Sequence, residues 1–204
     1  MQISSIKTLS LPEVKVIQFK RFKDERGYFS ESFRLSDFKA LDFLSQFSFP
    51  QHNESFSHTN VVRGLHFQWD PPMGKLVRTI LGRMVDIVMD IRKGSPNYGK
   101  VLLYDMSVNP QSEFSEWIWV PPGFAHGNFF TEDTYVQYFC TQEYKPDSEA
   151  GISVLANDLD WSLCSKELKD LFESIKPITV ISGKDKNNYS LKNWSADPHS
   201  ENFK

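Results

Sequence analysis

Cysteine is nearly absent from this chain. Cys140 and Cys164 stand alone, with no CxxC spacing, which leaves neither a disulfide framework nor a thiolate metal cluster and fits reduced thiols in a cytoplasm. Basic charge is not in excess either. Lys and Arg number 23 against 26 Asp and Glu, for a net charge of −3, which argues against a general nucleic-acid binder because phosphate-driven binding needs a basic surface. A small phosphorylated ligand needs only local positive charge and stays open. No run comes near the roughly 20 apolar residues of a membrane helix. The first thirty residues hold no uninterrupted apolar stretch, so no signal peptide and a cytoplasmic location are expected. Internal repeats, low-complexity tracts and linkers are missing too, which predicts a single domain over residues 1–204, with a core at about 14–185 and an extension at 186–204.

What is present reads as mainly β. A hydrophobic content of 40% and a charged content of 24% are those of a globular domain, and 204 residues suffice to bury a core. Val85, Ile87, Met89 and Ile91 alternate with Met84, Asp86, Val88 and Asp90, the pattern of a half-buried strand. The run 76–80 precedes it across Leu81-Gly82, a tight-turn signal. Further strand patterns cover Val101–Met106, Glu116–Val120 and Tyr135–Thr141, with Pro and Gly punctuation between them. Many short strands at close spacing predict an antiparallel sandwich or barrel rather than βαβ units. Helices are expected only at the flanks: one capped by Ser36 and running to about Gln46, and one over 166–175, where Leu168, Leu171, Phe172 and Ile175 recur at i, i+3, i+4, i+7. The tail after Asp185 reads as an irregular or partner-packed extension.

Polar constellations stand out in five places. In Asp24–Glu31, Arg26 and Glu31 flank a glycine and two aromatics, a pattern suited equally to a charged hairpin and to a base-stacking, phosphate-binding loop. Gln51–Ser57 is a polar run containing Gln51 and Asn53, whose amides can read a ligand or simply face solvent. The third, Arg63-Gly64-Leu65-His66, puts an arginine and a histidine three residues apart. On a regular strand such positions lie on opposite faces, so they converge only if the backbone bends at Gly64. Lys75 follows nine residues later. On its own His66 reads as an ordinary histidine or as a base acting on an anionic substrate. The fourth, Pro121–Gly127, sets His126 among small residues ahead of Tyr135 and Tyr138. The fifth, Ile181–Asp185, reads as a surface turn carrying Lys184 and Asp185.

Taken in order, these blocks resemble the dTDP-4-dehydrorhamnose 3,5-epimerase family of nucleotide-sugar epimerases, from about Phe22 to Asp185. The matching stretches are DERGYFSE, QHNESFS, VVRGLHFQ, GKLVR, VDIVMDIRKGSPNYGK, VPPGFAHG, YFCTQEYKPDSE and ISGKD. The resemblance implies a cupin-type antiparallel jelly-roll β-sandwich, a homodimer and no cofactor. It further implies epimerisation at C3 and C5 of a nucleotide-linked 4-keto-6-deoxyhexose, most simply dTDP-4-dehydro-6-deoxy-D-glucose. His66 takes the position of the family's base, Asp185 that of its orienting acid and Tyr138 that of its proton donor, with Lys75 and His126 near the sugar. Arg26, Glu31, Gln51, Asn53, Arg63, Glu149 and Lys184 take nucleotide- or phosphate-holding positions. The family's Arg26–Glu31 segment reaches the neighbouring subunit's site.

Alternatives of the same chemistry are a mono-epimerase or an enzyme for another nucleotide sugar such as a GDP-keto-heptose. One of a different class is a non-catalytic sugar-binding cupin, which has no need to keep base, orienter, lysine and acid together. The segment Pro121-x-Gly123-x-x-His126 is similar to the second half of a cupin metal motif, but the first half's second histidine is replaced, since Phe67 and Gln68 follow His66. No metal is therefore expected. The chain departs from the family in Gly151–Trp161 and in the interval from His126 to Tyr138, which leaves Tyr135 as a second claimant for the acid.

Overall fold

The computed structural model describes all residues 1–204. Its strands are β1 (Ile3–Thr8), β2 (Lys15–Lys20), β3 (Phe22–Asp24), β4 (Gly27–Phe29), β5 (Gln51–Ser57), β6 (Val61–Gln68) and β7 (Lys75–Leu81). They continue as β8 (Arg83–Asp90), β9 (Val101–Ser107), β10 (Phe114–Val120), β11 (Phe124–Phe130), β12 (Thr134–Cys140), β13 (Glu149–Gly151) and β14 (Val180–Ile181). Four short helices interrupt them: α1 (Leu35–Lys39), α2 (Lys166–Ile175), α3 (Gly183–Lys186) and α4 (Leu191–Ala196). One sheet runs in the order β1-β2-β10-β7-β12-β5, and the facing sheet in the order β13-β6-β11-β8-β9, with β14 also pairing β6. Apart from the parallel β14, the ladders are antiparallel, and the two sheets form a jelly-roll sandwich. No helix is long and apolar enough to cross a membrane.

Three apolar layers hold the sandwich. Between the sheets, Val16, Val77, Met84, Val88, Ile118, Phe130 and Val136 interdigitate. The outer face of the first sheet carries Phe19, Leu76, Trp117 and Trp119, covered by Phe38 and Leu44 with Phe33, Phe47 and Phe49 around them. The outer face of the second sheet carries Leu65, Phe67, Ile87 and Met89, covered by Phe172, Ile175, Trp194 and Phe203 from the C-terminal region. This cover explains a difference from the expected half-buried β8. Seven of its eight residues are buried, because both faces of its sheet are packed.

Other expectations shift for similar reasons. The helix expected from Ser36 to Gln46 is a single turn ending at Lys39, and Arg34, not Ser36, precedes it. Its closely spaced apolar residues exceed one helical stripe, so successive turns lay them onto the sheet. Leu81-Gly82 is not a hairpin. Gly82, at φ +88°, turns a corner between β7 and β8, which lie in different sheets. The polar run Gln51–Ser57 is a sheet-edge strand rather than a loop, pairing β12 from Gln51↔Cys140 to Ser57↔Thr134. Helix α2 falls where its periodicity put it, with the Ser165 hydroxyl accepting from the Leu168 N–H.

Residues beyond Asp185 pack on their own sheet. Trp194, 1% exposed, meets the Phe67 ring at a centroid distance of 4.6 Å and also touches Tyr189 and Phe203. Trp194→Ala is expected to cost about 3–5 kcal/mol. Denaturant unfolding checks this, and a loss below about 1 kcal/mol would mean the tail is not part of the core.

Candidate active site

Between the sheets lies a cavity of about 580 Å³ lined by Arg63, His66, Lys75, His126, Tyr138, Lys184 and Asp185 among others. A second cavity, of about 380 Å³, shares His66, Lys75 and Tyr138 and adds Gln51, Asn53, Cys140, Tyr144 and Glu149. Together they are large enough for an extended ligand with several recognition groups.

The β6 wall depends on a bulge. Arg63 pairs Asn128 and His66 pairs His126, so β6 spends three steps where β11 spends two. The extra residue reverses the alternation, and Arg63 and His66 both line the same cavity, as the bend at Gly64 requires. Gly64 sits at φ +99°, and a Cβ there would lie 2.7 Å from Gly127 Cα and from the His126 carbonyl oxygen. Only glycine fits.

His66 Nε2 lies 2.6 Å from Asp185 Oδ1. The other carboxylate oxygen accepts from the Gly64 N–H at 3.2 Å. Asp185 sits on α3, whose start is capped by Ser182 Oγ accepting the Asp185 N–H at 3.0 Å. The expected surface turn is therefore a capped helical turn that buries its aspartate to 5% exposure. Burial alone would raise the Asp185 pKa, but the His66 hydrogen bond and charge, the Gly64 N–H and Ser182 together hold it below the usual carboxylate value. An ionised Asp185 accepts from Nε2–H and leaves the lone pair on His66 Nδ1.

A second histidine–carboxylate pair lies alongside. His126, 7% exposed, places Nε2 2.5 Å from Oδ1 of Asp86, which is fully buried. Burial depresses the His126 pKa and raises that of Asp86, while their pairing opposes both shifts. The sequence reading missed Asp86, although an acid inside the apolar alternation of β8 was the available signal. His66 and His126 each spend one ring nitrogen on a carboxylate, and no three His, Cys, Asp or Glu side chains converge as metal ligands.

The opposite wall comes from the first sheet. Tyr138 on β12 pairs Val77 of β7, and Cys140 pairs Lys75, so Tyr138 and Lys75 project from the same face, one step apart. Burial raises the Tyr138 pKa, only partly offset by Asn53 and Arg63. Burial also lowers the pKa of Lys75, against smaller contributions from Cys140 and Glu149. Tyr135 faces outward, 43% exposed, and lines neither cavity.

Around this centre, Arg63 Nε donates to Ser57 Oγ at 2.8 Å. Lys184 pairs Glu149 at 2.5 Å, and the Tyr144 hydroxyl donates to the same carboxylate at 3.0 Å. Gln51 Oε1 accepts the Tyr144 N–H at 2.7 Å, and Gln51 Nε2 donates to Asn53 at 3.2 Å. Tyr144 was not singled out in the sequence, where it is one aromatic in a loop of mixed charge. Arg26 and Glu31 are not brought to the site. Arg26 lies on the exposed β3–β4 hairpin against Asp24, and Glu31 pairs Arg34 and the N-terminal amine. The same hairpin exposes Phe29 to 69%, beside Phe22 and Tyr28.

Known proteins resemble the chain in sequence and in fold. Residues 8–193 match the model of a family described as dTDP-4-dehydrorhamnose 3,5-epimerase. A relative of that name from Salmonella typhimurium is 42% identical over 156 residues, covering 75% of this chain and 80% of its own length. Another, from Methanothermobacter thermautotrophicus, is 38% identical over 185 residues, covering 89% and 91%. The crystal structure of a dTDP-6-deoxy-D-glucose 3,5-epimerase from Legionella pneumophila, in complex with dTDP-4-keto-L-rhamnose, superposes with a TM-score of 0.76 at 33% identity, covering 92% of this chain and 93% of that one.

Proposed function

The chain belongs to the dTDP-4-dehydrorhamnose 3,5-epimerase family and has that isomerase activity, and on this premise we propose that His66, Asp185, Tyr138 and Lys75 carry the chemistry. Inverting a carbon beside a ketone requires removal of its proton and return of a proton to the other face. His66 Nδ1 takes the proton, and ionised Asp185 stabilises the imidazolium so formed. The electron pair moves onto the C4 oxygen, giving an enolate. Lys75 meets that oxygen, and its proton, loosened by burial, is well suited to a strong hydrogen bond there. Tyr138 then returns a proton from the opposite wall. Its raised pKa keeps the phenol protonated until the enolate draws on it. The observation that carries this reading is the His66–Asp185 pair on one wall of the cavity facing Tyr138 and Lys75 on the other.

The remaining residues suit the nucleotide. Arg63 and Lys184 supply positive charge for the diphosphate, while Gln51, Asn53, Glu149 and His126 supply polar contacts to base and sugar. Arg26 and Glu31 reach a site only in a homodimer, where the exposed aromatic hairpin of one copy extends to its partner. The protein acts as one cytoplasmic epimerase domain without a cofactor.

The test is incubation with dTDP-4-dehydro-6-deoxy-D-glucose in D₂O, with and without EDTA, followed by NMR. Deuterium is expected at C3 and C5 at equal rates in both samples. No exchange with this or any other 4-keto nucleotide sugar would end the enzymatic reading, and an EDTA-dependent loss restored by zinc or iron would overturn the metal-free mechanism.

A further inference from the structure

The interior of the sandwich holds polar groups that this chemistry leaves unused, and they lie in a line. Asp86 on β8 is directly opposite Asn128 of β11 on one side and Tyr104 of β9 on the other. Asp86 Oδ1 takes the His126 hydrogen bond, whereas Asp86 Oδ2 and Asn128 Oδ1 are buried without a protein partner. The Tyr104 hydroxyl donates to Glu116 Oε2 at 3.2 Å, and Gln18 Nε2 stands 3.5 Å from the same oxygen. Glu116 and Gln18 line a separate cavity of about 220 Å³ that shares no residue with the two at the site. Lys7, over the Tyr104 ring at 5.1 Å, marks the solvent side. In the other direction His126 is the cross-strand neighbour of His66. Buried polar groups without partners are costly, so such a row inside an apolar core calls for a use.

We infer that His126, Asp86, Tyr104 and Glu116 form a proton line that discharges His66 to the far cavity between the two inversions. The inference rests on the base assignment above. Each inversion leaves His66 one proton richer and Tyr138 one proton poorer, so two inversions on one bound substrate need a reset between them. His66 passes its proton to His126 Nδ1, and His126 gives its Nε2 proton to Asp86 Oδ1. Asp86, carrying its own proton on Oδ2, accepts the new one on Oδ1 and releases the first through a water held by Asn128 Oδ1 to the Tyr104 oxygen, and Tyr104 gives its own to ionised Glu116, which releases it to solvent. With the sugar seated between the two walls, Tyr138 recovers a proton from solvent along its own wall, beside Asn53 and Cys140. One proton leaves and one enters, with only O–H and N–H bonds exchanged.

Glu116→Gln keeps an acceptor for Tyr104 but cannot take up a proton, and Tyr104→Phe breaks the line one step earlier. Each is expected to lower kcat about tenfold, less than the 10²–10⁴ of a direct acid or base, with KM and the first deuterium incorporation unchanged. Product labelled and inverted at one carbon should then appear early in D₂O, and the double variant should be no slower than either single one, because both cut the same path. Full kcat in either variant would overturn the line. So would an equal loss of first and second incorporation, the mark of a structural effect, or additive losses in the double variant. Wild-type protein that exchanged at neither carbon would instead remove the base assignment itself.

Discussion

His66→Ala is expected to lower deuterium incorporation at both carbons by about 10⁴-fold, the upper end of what a positioned general base contributes. The upper end applies because nothing nearby can replace it. His126 is the adjacent imidazole, but its Nε2 is bound to Asp86 and burial weakens it as a base. Asp185 is held below the ordinary carboxylate pKa and is weaker still. The ring lies beside a cavity rather than within the packed core, so the variant should fold, with a melting temperature close to that of the native chain. Tyr138→Phe offers the contrast: the base remains, so proton removal and exchange at one carbon can survive while inversion is impaired. NMR in D₂O reads both variants. Near-normal exchange in His66→Ala would place the base elsewhere.

Which parts of this site could be read from sequence follows from what each part depends on. Period-two and period-3.6 patterns are local, so β8, β9, β12 and α2 emerged within a residue or two of their ends. Burial on a second face is not local. The inner and outer faces of β8 look alike in sequence because the cover on its outer face comes from residues some eighty to one hundred and twenty positions later. The polar run Gln51–Ser57 gives no strand signal of its own, since its side chains answer to β12 and the cavity rather than to a core. Gly64 was legible as the place where a bend would let Arg63 and His66 converge, since positions three apart on a regular strand lie on opposite faces. Asp86 was not, because nothing in the alternation says that its partner is His126, forty residues away. The ordered family blocks supplied the rest, bringing His66 and Asp185 together across 119 residues before any geometry did.

Lys75→Met is expected to separate activity from stability. Lys75 is half-buried, has no carboxylate within ion-pair distance, and its pKa is lowered chiefly by burial. If Lys75 is the cation that meets the enolate oxygen, as proposed, its removal should lower kcat by about 10²–10³-fold, the loss seen when a single oxyanion donor is deleted. The effect on folding should have the opposite sign. Methionine fills similar space without the cost of holding an unpaired ammonium away from water, so the variant should be as stable as the native chain or more so. The sign with pH follows from the direction of the shift. Below the lowered folded-state pKa both folded and unfolded chains carry the proton, and the native protein bears the full penalty. Between that value and the ordinary lysine pKa of about 10.4 the unfolded chain binds more protons, so native stability rises with pH toward that of the variant. Denaturant midpoints of both proteins from pH 7 to pH 10 check this. A variant less stable than the native chain at pH 7, with its activity intact, would mean that Lys75 serves packing and not the enolate.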